Sequence, residues 1–140
     1  MGEAGWQHFE HGSDVGVRGF GPTRAAAFAE AARALTAAVA ELDSVRPETP
    51  VEISCAAPDD ERLLVAWLNA VVYEMATRAM LFARFEVAIA DGRLTATAWG
   101  EPVDIARHQP AAEVKGATYT ALSVRRRADG GWIAECVVDV

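Results

Sequence analysis

The chain has 140 residues, 51% of them apolar, and a formal net charge of −7. That length suits a single domain, residues 1–140, with a real core. The acidic balance argues against a protein that grips nucleic acid by itself, because phosphate neutralisation supplies most of such affinity, and it suits a basic protein partner or cations instead.

Residues 5–9 and 15–20 read as two short strands separated by the polar, turn-rich segment Glu10-His11-Gly12-Ser13-Asp14. Pro22-Thr23 opens a helix, with Thr23 able to cap it. Phe28, Ala31, Leu35, Ala38, Val39 and Leu42 recur at helical spacing and predict one buried face. The segment 43–50 carries two prolines and three charges and reads as a connector into a strand over 51–56. Pro58-Asp59-Asp60 starts a second helix, with acids at its positive end. Its apolar stripe is Leu64, Trp67, Leu68, Val71, Val72 and Met75, read as core.

Two hairpins are expected to close the chain. Phe85, Val87 and Ile89 alternate with Arg84, Glu86 and Ala88, and Asp91-Gly92 turns into a strand over 94–99. A DG pair suits the positive φ angles of a type I′ turn. Residues 118–127 and 132–138 flank Asp129-Gly130-Gly131 and are read in the same manner. This order predicts an α+β fold with antiparallel sheet and two main helices, not the regular alternation of a doubly wound fold. Cys55 and Cys136 sit far apart in strand-like stretches and read as free core thiols in a reducing compartment. The start of the chain lacks an apolar stretch after a basic one, and no apolar run approaches the ~20 residues a bilayer needs. A cytoplasmic protein with no membrane partner is expected.

Three constellations could carry chemistry. His11-Gly12-Ser13-Asp14 is a polar turn that could position a carboxylate; taken alone, an aspartate that caps the turn by bonding its own backbone explains it better. At the other end, Asp139 stands beside Val140, so its side chain and the Val140 carboxylate are adjacent anionic groups. Such groups repel unless a cation screens them, and hard cations favour oxygen donors. A solvated strand end is the plainer reading. Glu113 and Lys115 form either a surface ion pair of small worth or a docking or catalytic pair. His108 reads as a solvated loop histidine. Arg125-Arg126-Arg127 is the one basic cluster, solvated by default or touching an acidic partner. Walker, HExxH, GxSxG and RNP patterns are absent from the sequence.

Taken in order, these segments resemble the archease family. The matching pieces are His11-x-x-Asp14-Val15-Gly16, the entry from Gly19 to Phe28, Leu63-Leu64-x-x-Trp67-Leu68, and Leu81-Phe82. Gly100-Glu101, Asp104 with Arg107-His108, Glu113-Val114-Lys115-x-x-Thr118-Tyr119 and Val138-Asp139-Val140 complete the set. Gly12-Ser13 stands where the family has Thr-Ala, and Thr120 where it has a histidine.

The resemblance implies an accessory factor of an RtcB-type RNA ligase in tRNA splicing and RNA repair. Such a factor promotes guanylylation and repeated turnover of the ligase and has no reaction of its own. It also implies a fold in which one strand-helix-strand-strand unit is inserted in another. A divalent metal, calcium with magnesium or manganese as alternatives, would be held by Asp14, Asp139 and Val140. The strands carrying the two aspartates are then expected to be neighbours in one sheet, where facing residues lie within about 5.5 Å. His11, Glu113 and Lys115 are the expected partner contacts, and no autonomous nucleic-acid binding is expected. Two other classes compete: a chaperone-like binding module, and a metal-dependent hydrolase using Asp14, His11 and Asp139.

Overall fold

The computed structural model describes residues 3–140. The opening hairpin pairs β1 (Gly5–His11) with β2 (Asp14–Gly21). Both strands run further than their apolar centres suggest. His11 and Asp14 are cross-strand partners, and only Gly12, at φ +61°, and Ser13 make the turn. Next, α1 (Arg24–Val39) begins at Thr23, whose hydroxyl accepts from the Ala26 N–H at 3.0 Å. This satisfies one of the donors that a helix start leaves without a partner. Phe28, Ala31 and Leu35 are fully buried, as their spacing predicts. Leu42 instead lies beyond the helix, in a single 3-10 turn over Leu42–Ser44. Small residues bring α1 close to the sheet: a Cβ at Gly19 would run into the main chain of Ala27 and Ala31.

The middle of the chain is a unit of its own. It consists of β3 (Thr49–Ala56), α2 (Asp60–Arg78), β4 (Met80–Ala90) and β5 (Arg93–Pro102), with sheet order β3-β5-β4, all antiparallel. The Asp59 side chain caps α2 by accepting from the Arg62 N–H at 2.8 Å, and Ala79, at φ +51°, ends it. Asp91 at φ +54° and Gly92 at +72° give the two consecutive positive angles of the expected type I′ turn.

The chain then makes one helical turn, α3 (Ile105–His108), and returns to the first sheet as β6 (Gly116–Ala117), β7 (Ser123–Arg126) and β8 (Trp132–Asp139). That sheet runs β1-β2-β8, with β6 and β7 both on the outer edge of β8. Two expectations fail here. Residues 118–127 are not one strand: Ala121 takes φ +54°, and the Thr118 hydroxyl folds back onto the Val137 carbonyl at 2.8 Å. The Asp129-Gly130-Gly131 turn is not a copy of the first, since only Gly130 has positive φ and the Asp129 carboxylate accepts from the Gly131 N–H.

The result is the expected α+β fold with a strand-helix-strand-strand unit, 49–102, inserted between strands of the other sheet. One core spans both halves. Trp67 on α2 and Phe28 on α1 are fully buried, and the indole N–H donates to the Phe28 carbonyl at 2.9 Å. Both cysteines are free, Cys136 buried in β8 and Cys55 half-buried in β3. Burial pushes the Cys136 thiol up to about 12, which leaves it inert. No helix among the described residues is long and apolar enough to cross a membrane.

Candidate functional site: the end of the five-stranded sheet

The antiparallel ladder of β2 and β8 runs without interruption from Gly21–Trp132 to Val15–Val138. Continued by one residue, it sets Asp14 against Asp139. His11 is the β1 partner of Asp14, and Gly116 of β6 is the partner of Asp139. One row across four strands therefore reads His11, Asp14, Asp139, Gly116. Cross-strand partners share a face, so the imidazole and both carboxylates emerge on the same side of the sheet. The Val140 N–H reaches the Asp14 carboxylate at 3.4 Å, a long contact that ties residue 140 to the first hairpin. Asp14 is half-buried and Asp139 and His11 are exposed.

The donor chemistry at this end suits a hard cation, because both side chains are carboxylates and an oxygen set favours calcium or magnesium. Side chains alone do not complete such a centre. Among the described residues, no group of three or more His, Cys, Asp or Glu could hold a metal ion. A cation sharing Asp14 and Asp139 would need the Val140 carboxylate, other main-chain oxygens or water to fill its shell.

Lys115 sits beside this row through its main chain, donating its N–H to the Asp139 carbonyl at 2.8 Å. Glu113 and Lys115 are both exposed, and no ion pair joins them. Glu113 borders an apolar cleft of about 220 Å³ between α2 and the segment after α3, lined by Val72, Met75, Met80, Val103 and Val114. Sequence reasoning passed over Asn69, whose side-chain oxygen accepts from the Ala117 N–H at 2.8 Å and fixes β6 to α2. A lone asparagine on the polar side of a helix carries no signal of that role.

His108 is not a solvated loop residue. It is 4% exposed, its Nε2 lies 2.9 Å from the Glu101 carboxylate, and its Nδ1 accepts from the Asp104 N–H at 2.8 Å. Those partners fix the neutral tautomer with the proton on Nε2. Arg107 donates to the other oxygen of Glu101 at 2.6 Å and to the Ser44 carbonyl at 2.6 Å. Burial by itself would raise the Glu101 pKa. Hydrogen bonds from Arg107, the Arg46 N–H and His108 outweigh it and hold the carboxyl down at about 2. This buried network locks α3 to β5 and to the connector after α1, and its role is architectural. Asp104 caps α3 by accepting from the Arg107 N–H at 3.2 Å.

Comparison with known proteins agrees with this fold. The model of the Archease protein family (MTH1598/TM1083) matches residues 6–140. Protein archease of Pyrococcus furiosus is 34% identical over 139 residues, covering 96% of this chain and 98% of that protein. Protein archease of Methanopyrus kandleri is 38% identical, covering 96% and 99%. The solution structure of protein 1598 from Methanobacterium thermoautotrophicum superposes with a TM-score of 0.84 at 26% identity, covering 97% of this chain and 99% of that one. The crystal structure of an archease from Thermotoga maritima, described as a possible chaperone, shares the fold at a TM-score of 0.61 and 16% identity, with 94% of each chain covered.

Proposed function

The chain belongs to the archease family, and we propose on that premise that it is a non-catalytic accessory factor of an RtcB-type RNA ligase in the cytoplasm. It promotes guanylylation of the ligase and its repeated turnover in tRNA splicing and RNA repair. The observation that supports this reading is the row of His11, Asp14 and Asp139 at one end of the sheet. Acidic groups on a rigid edge suit a factor that presents a cation or a fixed negative tip to a nucleotide site. Phosphoryl transfer is governed by positioning and charge neutralisation, and an added protein can improve both without reacting. Calcium, with magnesium or manganese as alternatives, would be held by Asp14, Asp139 and the Val140 carboxylate. His11, Glu113 and Lys115 would border the contact with the ligase.

The test is direct. The protein is added in substoichiometric amount to a ligase with GTP and manganese, and guanylylation and RNA joining are followed over several turnovers. The expected result is a large rate gain that Asp139→Ala abolishes while keeping its unfolding temperature. Calorimetric titration with calcium should show one site lost in Asp14→Asn and in Asp139→Asn.

One observation favours a second reading, a chaperone-like binding module: the apolar cleft beside Glu113 lies near the exposed Tyr73 of α2. That reading requires suppression of aggregation of unrelated proteins, unaffected by Asp139→Ala.

A further inference from the structure

The face of the five-stranded sheet turned away from α1 is not covered by a helix, and its side chains are unusual. Phe9 and Gly16 are cross-strand partners, as are Phe20 and Gly5. A Cβ at Gly16 would collide with the Phe9 ring, and one at Gly5 would lie 2.9 Å from the Phe20 ring. Each phenylalanine therefore lies down over the glycine opposite it instead of standing off the sheet. A ring lying over a glycine covers backbone that would otherwise be bare, and both rings remain only half-buried.

Arginines accompany both rings. The Arg18 guanidinium lies 4.7 Å from the Phe9 centroid and that of Arg127 lies 5.9 Å from the Phe20 centroid. Arg18, Arg125 and Arg127 join Gln7, Phe20 and Ile133 around a concave patch of about 440 Å³. Glu135 bonds Arg18 and pairs with Arg125 at 3.3 Å, which aims both guanidinium groups, and Asp129 lies 3.7 Å from Arg127. An arginine has five N–H donors, so these contacts leave several for a ligand. A chain whose net charge is −7 thus gathers three of its 13 basic residues on one concave face.

We propose that this open face binds a short single strand of RNA. Phosphates would meet Arg125 and Arg127, and bases would stack on the Arg18 guanidinium plane that lies over Phe9, and beside the Phe20 ring. Single strands are recognised on such surfaces, a four-strand-wide sheet taking two or three bases. The combination of flat rings with arginine favours RNA over an acidic peptide, which would use the charge but not the rings. Charge counted over the whole chain understates this face, because screening makes exposed charges local over about 10 Å. The acidic row of Asp14 and Asp139 lies at the end of the same face, and it sets the limit beyond which phosphates are repelled.

The test uses the full chain, with no ligase and no added metal. Fluorescence anisotropy of a labelled short oligouridine should show binding at about 0.1 M salt, with a dissociation constant on the order of 10⁻⁶–10⁻⁴ M, the range of electrostatic binding without sequence preference. Arg125→Ala with Arg127→Ala should weaken it about tenfold and flatten the salt dependence by ~0.7 for each phosphate contact removed. Phe9→Leu should weaken it while leaving thermal unfolding nearly in place. Asp139→Ala should retain binding, which separates this face from the proposed ligase contact. No binding at that salt would overturn the proposal. So would binding unchanged in the arginine variant, binding lost in Asp139→Ala, or tighter binding of a polyglutamate peptide than of the oligouridine.

Discussion

At the residue scale, side chains that look alike in sequence divide by their partners. Asp14 and Asp139 end adjacent strands and face out, whereas Glu101 is turned inward onto Arg107 and His108. Its carboxyl titrates near 2 in the fold, below its ordinary value of 4.5. A depressed carboxylate contributes stability that is fully present above the unfolded value and lost as pH falls through the folded one. Urea unfolding followed against pH should therefore show stability declining from about pH 4.5 toward 2, and Glu101→Gln should remove part of that slope. Glu101→Ala leaves Arg107 and His108 without their acceptor and should cost about 3–5 kcal/mol. The sequence could not foretell this network. Arg107-His108 follows a proline and an aspartate, a pattern as common in solvated loops as in a capped turn, and only the tertiary fold supplies Ser44 and Glu101 as partners.

At the scale of elements, the chain announces its caps and tight turns more clearly than its strand lengths. Thr23 and the Asp91-Gly92 pair stand where a side-chain oxygen or a positive φ is required and act as predicted, and Asp59, expected only as an acid at the positive end of α2, caps that helix. Thr23→Ala should cost ~1 kcal/mol, read as a lowered urea midpoint at unchanged slope. Gly19→Ala should cost more, since the new methyl group meets main chain of α1 and cannot be accommodated by a side-chain shift. The stretch 118–127 misleads because Thr118, Tyr119, Leu122 and Val124 all favour strand, and nothing marks Ala121 for the left-handed region. What breaks the strand is competition: the Thr118 hydroxyl and the Thr120 carbonyl take Val137 as their partner. Near the start of β4, Thr36 and Arg33 of α1 donate to the Phe82 and Ala83 carbonyls and occupy that stretch of its edge.

At the scale of the whole molecule, the inserted unit and the outer sheet share one core, so neither half is a separate folding unit. Thermal unfolding watched by far-UV circular dichroism and by tryptophan fluorescence should give one coincident transition, because Trp67 reports on the insert and Trp6 and Trp132 on the outer sheet. Two transitions would mean that the halves fold separately. The insertion also explains the position of the acidic row. Residues 49–102 are looped out, and β2 and β8 become neighbours although Asp14 and Asp139 lie at opposite ends of the sequence. That closeness was legible only through the family resemblance; no spacing or periodicity within the chain reveals it.

On the function proposed, the acidic end of the first sheet serves an RNA ligase. Guanylylation of an RtcB-type ligase, timed with and without a substoichiometric amount of this protein, tests it most directly. The account predicts a rate gain over many turnovers that disappears in a folded Asp139→Ala variant. An active ligase whose guanylylation is unchanged by the protein, or a gain that Asp139→Ala retains in full, would contradict it.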